Sequence, residues 1–321
     1  MVSRMLIGEI VEIREFRGIK ELAEPLPLRK FNVLIGKNNS GKSALLEALF
    51  LFPDPDRTYQ LFPKPWGIKS FIGNRRSGLK SLIYKYEGIT SLKFKAEIGR
   101  GIDEWTITMS SKGESKVFQN NRKVESRLLK FKESLYFPHD TQFIKELDEF
   151  LDENEEALIK ENIHTKVAKM ISKHLDERFT EIVLKKDGWY LRREDASYIH
   201  IDDMGDGVKK AARIMMVAEL LKPKLILWDD FDTSLHPSMI KMLLKWLAQG
   251  DWQVVIATHS IDVLYYLADL NEELDNFDAQ LILLRKDQED ILHHKELDID
   301  ELEDILEGNI DPRLLVSELK I

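Results

Sequence analysis

The 321-residue chain contains no cysteine. That excludes a disulfide framework and any thiolate metal site, and it suits a reducing compartment. Long apolar runs are missing as well. The N-terminal stretch MVSRMLIGEIVEIREF is charged throughout and has no apolar core of signal-peptide length. Nowhere do 18 apolar residues follow one another, and ALLEALFLF is broken by Glu47. A soluble, cytoplasmic protein with no membrane partner is expected. No repeat or low-complexity tract punctuates the chain, which is long enough for one large domain or two small ones.

An overall surplus of positive charge is also absent. The net charge is −9, which on its face argues against nucleic acid. The average conceals an asymmetry: residues 57–132 hold 17 Lys and Arg against 6 Asp and Glu, a surplus of +11 that leaves the remainder at −20. Such a stretch is either a solvated lysine-rich face or a surface for a polyanion such as DNA. Composition leaves both open.

The patterning that is present divides the chain. Residues 5–35 alternate and read as two or three strands feeding a glycine-rich loop. Lys42 to Phe52 reads as a buried helix stopped by Pro53 and Pro55. Residues 56–140 carry short alternating runs between glycines and prolines, the pattern of an antiparallel β section. Residues 141–178 place Phe143, Leu147, Leu151, Leu158, Ile163, Val167 and Ile171 at helical spacing, predicting an insert of two helices. EIVLKKDGWYLRR predicts a hairpin turning at Asp187-Gly188. In the last third, KLILWDD, QVVIATHS and QLILLRK are short continuous apolar runs between helical segments, as strands buried on both faces of a parallel sheet are. The acidic end, LDIDELEDILEGNIDPRLLVSEL, predicts a helix with a short cap. The expected fold is α/β, a single domain over 1–321. Its core comes from 1–55 and 200–321, with the β section at 56–140 and the helical insert at 141–178 between them.

Three stretches carry chemistry. Gly36, Gly41, Lys42 and Ser43 spell G-x-x-x-x-G-K-S between a strand and a helix. Glycines let a loop curl so that its N–H groups, with those of Asn38, Asn39 and Ser40, converge on phosphates at a helix N-terminus. Lys42 adds a cation for the β- and γ-phosphates, and Ser43 a hydroxyl for Mg²⁺. Next, LILWDDFDTSLHP ends a buried strand with Asp229, suited to the Mg²⁺ shell, and Asp230, suited to orienting or deprotonating an attacking water. Lastly, VVIATHS puts His259 at a strand's carboxyl end, where α/β sheets gather ligands and where it could sense the γ-phosphate. ATP and Mg²⁺ are the implied cofactors, and Asp230, His259 and Lys42 the candidate catalytic groups.

Taken together, EIREFRGIK, GKNNSGKS, MGDGVKK, LILWDDFDTSLHP and IATHS resemble an ABC-type AAA ATPase of the SMC, RecF and OLD group. The resemblance implies a P-loop NTPase head with a mixed sheet, two copies of which close head to tail on ATP. The signature segment would be Gly205, Asp206 and Gly207, meeting the γ-phosphate across the homodimer, and Arg17 would lie near the nucleotide. The chain departs from that pattern in places. Met204 and Asp206 stand where a signature serine is usual, Asp230 replaces a glutamate, and His236 takes a position that is aspartate in many relatives. Gln119 and Gln142 are both poorly placed for the usual glutamine loop. The stretch from loop to signature is too short for SMC-type arms, and too few residues follow His259 for a Toprim nuclease domain. The resemblance implies an ATP hydrolase, slow if the shorter Asp230 holds water badly. Its dimer would act in DNA maintenance, repair or defence against foreign DNA. The alternative is a nucleotide-dependent switch recruiting a separate effector, a nuclease or toxin. The engine of a membrane transporter and a P-loop kinase fit the motifs less well.

Overall fold

The computed structural model describes residues 6–318, apart from 60, 62–65, 75, 77, 99–100, 126–133, 140 and 176. Strands β1 (Ile7–Phe16) and β2 (Ile19–Leu22) form a hairpin, and β3 (Leu26–Pro27) pairs with β1. β4 (Phe31–Gly36) then leads into helix α1 (Lys42–Leu51). After β5 (Thr58–Tyr59), β6 (Trp66–Gly67) and α2 (Ile68–Asn74) come two 3₁₀ turns, Leu79–Leu82 and Tyr84–Tyr86. An antiparallel wing follows: β7 (Ile89–Glu97), β8 (Ile102–Ser110), β9 (Ser115–Gln119) and β10 (Arg122–Val124). β11 (Ser134–Phe137) precedes α3 (Thr141–Glu153), α4 (Glu155–Lys160) and α5 (Ile163–Ser172). A separate small sheet holds β12 (Phe179–Lys185), β13 (Gly188–Arg193) and β14 (Tyr198–His200).

The remaining elements alternate: α6 (Asp206–Leu221), β15 (Leu225–Trp228), α7 (Pro237–Gln249), β16 (Gln253–Ala257) and α8 (Ile261–Glu273). β17 (Ala279–Lys286), β18 (Ile291–Asp298), α9 (Ile299–Glu307) and α10 (Pro312–Leu315) close the chain. One 13-stranded sheet runs β10-β9-β8-β7-β1-β2-β18-β17-β4-β16-β15-β11, with β3 beside β1. β17, β4, β16, β15 and β11 are mutually parallel, so their carboxyl ends share one edge. Their residues are almost wholly buried, which is why they read as unbroken apolar runs. Buried amides fasten the opposite edge. Gln253 bonds both backbone groups of Ile7, and Asn32 donates to the Val254 carbonyl while accepting from Gln280.

The α/β architecture expected from the pattern is what is found, with local corrections. Among the described residues four strands, not two or three, precede the loop. The stretch read as wholly antiparallel strands contains α2 and the two 3₁₀ turns. It also ends in β11, which pairs parallel with β15 and so belongs to the core sheet. The apolar positions of 141–178 form three helices because Asn162, in a left-handed conformation at φ 58°, interrupts the second. The expected hairpin forms, but it turns at Lys186-Asp187, one residue earlier than read, with Lys185 facing Gly188 across it. No described helix is long and apolar enough to cross a membrane.

Candidate functional site

The parallel edge begins its site at Gly36. A Cβ there would collide with Ser40 Oγ and lie 2.5 Å from the Leu284 carbonyl of neighbouring β17. The loop then turns through left-handed Asn39 (φ 64°) and Gly41 (φ 102°). α1 starts on Gly41 with no capping side chain and no acidic residue in its first turn. α7, α8, α9 and α10 are, by contrast, capped by the side chains of His236, Ser260, Asp298 and Asp311. The N-terminus of α1 is thus left electropositive toward the loop. The Ser40 hydroxyl is buried there with no hydrogen-bond partner among the described residues. Lys42 folds back over the loop, its Nζ donating to the carbonyls of Gly36 at 3.0 Å and Lys37 at 3.3 Å. Burial pulls its ammonium below the usual lysine range, against the attraction of Asp230 and Asp229.

Two strands away, β15 delivers the carboxylates. Asp229 is 6% exposed, and burial raises its pKa; a hydrogen bond with Ser43 opposes the rise, as do Lys42 and Arg76, while Asp230 adds to it. Ser43, Lys42, Asp229 and Asp230 are therefore gathered in one place. Asp230 has a left-handed backbone, φ 45°, and a half-buried side chain whose Oδ2 lies 3.2 Å from His139 Nδ1. Asp232 accepts from the Thr258 hydroxyl and, at 3.4 Å, from the His259 amide, joining the β15 turn to the end of β16. The side chain of His259 is exposed at this edge, and its carbonyl accepts from Arg313 at 2.9 Å.

Gly205 leads into α6 with no side-chain cap, and Asp206 is exposed beside Lys209. Gly207 packs so close to the Ser234 carbonyl that a Cβ would sit 2.7 Å from it. One turn on, Lys210 donates to the carbonyls of Asp230, Phe231 and Thr233 at 3.2–3.4 Å. Burial lowers its pKa to about 8, although Asp232 and Asp230 pull the other way. The start of α6 is thus tied to the turn that carries Asp230. Arg17, left-handed at φ 53°, is engaged by the buried Glu47 of α1, which also pairs with Arg76 at 2.7 Å. His236 serves as the N-cap of α7. Gln119 bonds Asp103 on β8, away from this edge.

Sequence reasoning missed His139, Lys210, Asp232, Glu47 and Arg76. Asp232 was legible as the third carboxylate of DDFD. His139 follows the apolar SLYF, which would have announced a core strand had it not been merged with the wing. Lys210 and Arg76 left no signal, because their partners are backbone carbonyls or distant in sequence.

The donor set suits a hard cation. Ser43 and Asp229 offer oxygen only, and no described cluster of three or more His, Cys, Asp and Glu is arranged to cage a metal. Such a pair fits Mg²⁺, which takes few protein ligands and completes its shell with water and phosphate oxygens.

Comparison with known proteins bears on the family and the fold. The family profile described as "AAA domain, putative AbiEii toxin, Type IV TA system" matches residues 80–264, and that described as "AAA ATPase domain" matches residues 5–96. The chain belongs to the AAA domain family. Among relatives of this AAA domain is the uncharacterized protein MJECL11 of Methanocaldococcus jannaschii. It is 29% identical over 97 residues, 29% of this chain and 84% of the relative. Among solved structures, the SMC head bound to the C-winged helix domain of ScpA superposes with a TM-score of 0.67 at 14% identity. The match covers 92% of this chain and 99% of that one. The Pyrococcus furiosus SMC head with an extended coiled coil, bound to the C-terminal domain of ScpA, gives 0.63 at 13%, covering 95% and 99%. The AAA domain therefore has the fold of an SMC head, and the AAA ATPase domain expected from the motifs is what the family models show.

Proposed function

We propose that the AAA domain binds Mg-ATP on the 36–43 loop and hydrolyses it in a homodimer closed by the nucleotide. The observation that supports this is the hydrogen bond of Ser43 with buried Asp229 beside Lys42, which would bring a phosphate cradle and a cation site into contact. Gly36, Asn38, Asn39, Ser40 and Gly41 would supply the loop amides, and Lys42 would leave its two carbonyls for the phosphates. Mg²⁺, held through Ser43 and Asp229, would neutralise charge on the transferring phosphoryl group. Asp230 would take the proton of the attacking water, and the exposed His259 would face the γ-phosphate. Gly205, Asp206 and Gly207 of the second copy would present the uncapped N-terminus of α6 to the same phosphate. Arg17, held by Glu47, would border the nucleotide. We assign the cycle to DNA maintenance, repair or defence against foreign DNA in the cytoplasm, with the outer face of the wing as the DNA surface.

A second reading is favoured by Asp230 itself, a short carboxylate on a left-handed residue, and by the toxin–antitoxin wording of the family's description. Under it the domain is a slow nucleotide switch that recruits a nuclease or toxin. One experiment decides: turnover and mass of the wild type and of Asp230→Asn, with and without Mg-ATP. Turnover lost in Asp230→Asn, with doubling of its mass on ATP, supports the hydrolase. Tight ATP binding with negligible wild-type turnover supports the switch, and a monomer under all conditions refutes the closed dimer.

A further inference from the structure

The end of β11 stands beside the end of β15. The two strands run parallel in register, Phe137 opposite Trp228, and the Asp229 amide donates to the Phe137 carbonyl at 2.9 Å, carrying the pairing one step past the ladder. Pro138 and His139 therefore flank Asp229 and Asp230. His139 Nδ1 lies 3.2 Å from Asp230 Oδ2, with the imidazole 59% and the carboxylate 31% exposed. The pair faces the open edge of the sheet rather than its core. Both partners are fixed from behind. Lys210 holds the carbonyls of the turn that follows Asp230, and Pro138 restricts the backbone just before His139. A glutamate would reach one methylene further than Asp230 does. Gln119 bonds Asp103 in the wing and the side chain of Gln142 lies outside the described residues, whereas His139 follows the strand next to the carboxylates.

We propose that His139 is the positioning residue of Asp230. Its Nδ1–H donates to one carboxylate oxygen, leaving the other free to hold the water that attacks the γ-phosphate. The tautomer with the proton on Nδ1 leaves Nε2 as an acceptor toward solvent. In the step itself the water oxygen forms the new bond to phosphorus, the bond from the γ-phosphorus to the bridging oxygen breaks, and the water proton passes to the free oxygen of Asp230. His139 keeps its own proton throughout and fixes the direction of the base. This rests on the hydrolysis reading above.

The test is steady-state Mg-ATP turnover of the full chain and four variants: His139→Ala, His139→Asn, Asp230→Asn, and Asp230→Asn combined with His139→Ala. His139→Ala is expected to lower kcat about 10- to 100-fold, as removal of an orienting partner does, with KM for ATP within about two-fold. Asparagine can place an amide N–H where Nδ1–H stood, so His139→Asn should return to within about five-fold of wild type. Because His139 acts through Asp230, adding His139→Ala to Asp230→Asn should cost nothing more. The proposal is overturned by unchanged kcat in His139→Ala, by a change confined to KM, or by losses that multiply in the double variant. If wild type turns over and His139→Ala matches it, this proposal alone falls. If wild type binds ATP without turning it over, the hydrolysis reading falls and takes the proposal with it. Thermal melting checks each fold, and if the alanine variant melts early, His139→Asn decides on its own.

Discussion

The carboxyl edge of the parallel strands and the antiparallel wing use charge in opposite ways. At the edge, Lys42 and Asp229 are buried and Lys210 is half-buried, and desolvation moves each away from its ordinary pKa. In the wing, charges stand on the surface and find partners across strands: Lys93 with Glu12 at 3.8 Å and Lys95 with Glu9 at 2.5 Å. Buried, under-compensated charge at the mouth of a sheet costs stability and persists where it serves a reaction. Paired surface charge costs little and does little. The contrast also revises the +11 count for residues 57–132. Lys69, Arg76, Lys93 and Lys95 each pair with a carboxylate from outside the stretch, and Arg57 is buried against backbone carbonyls. Residues 126–132 lie outside the described residues.

The largest effect should come from the edge. Lys42→Ala removes the cation from the cradle, and we expect ATP turnover to fall at least about 100-fold, while the urea midpoint stays near wild type or rises, since a buried ammonium has been removed. Turnover within ten-fold of wild type would break the assignment of the edge as the reactive region.

Next is the far end of α1. Arg57 donates to the carbonyls of Phe50 (2.5 Å), Leu51 (3.2 Å) and Asp54 (2.8 Å) and to Ser134 Oγ (2.6 Å), closing the helix against β11. Burial lowers its pKa to about 9, so it remains charged at neutral pH. Arg57→Ala would leave several buried acceptors without a donor, and about 3 kcal/mol should be lost in urea unfolding. A loss below about 1 kcal/mol would show that water replaces the guanidinium.

Lys210 joins the two behaviours, being a half-buried cation held by carbonyls. Lys210→Met should cost about 1–2 kcal/mol at pH 7 and slow turnover by loosening the turn that carries Asp230. Its pKa of about 8 in the fold lies below the unfolded 10.5. Below pH 8 both states hold the proton, and no pH dependence arises from this residue. Between 8 and 10.5 the unfolded chain binds more protons, so the lysine's contribution improves as pH rises, by up to about 1.4 kcal/mol per unit. Asp230 and Asp232 are the carboxylates that face it. The stability of wild type minus that of Lys210→Met, from urea midpoints at pH 7 and 10, should therefore grow. Parallel pH curves would place the ammonium in water.

How much of this was legible follows from the same contrast. Continuous apolar strands and the G-x-x-x-x-G-K-S loop are local signals, so β4, α1, β15, β16 and the carboxylates of β15 could be read directly. β11 could not. Its four residues sit between a basic stretch and a helix, and only pairing with β15, some ninety positions later, makes it part of the core. His139 was lost with it. Lys210 reads as one more charge on an amphipathic helix until the turn after β15 folds beneath it. Arg17 was read as a nucleotide neighbour, and its ion pair with Glu47 lies across thirty residues.

The smallest effects on stability should come from the wing, where they still decide a question of function. The register places Lys93, Lys95, Lys116 and Lys123 on one outer face, opposite the buried Val117. Glu12 and Glu9 neutralise the first two, so Lys116 and Lys123, with Lys112 in the adjoining turn, carry the exposed positive charge. Single alanine substitutions at Lys116 or Lys123 should shift unfolding by less than about 0.5 kcal/mol. If this face binds DNA, each should weaken binding alike across sequences and flatten the log–log salt dependence by about one unit for every phosphate no longer neutralised. Fluorescence titration of a duplex between 50 and 200 mM salt measures that slope. An unchanged slope in the Lys116→Ala, Lys123→Ala double variant would make the face a solvated one, and any polyanion would have to meet the protein elsewhere.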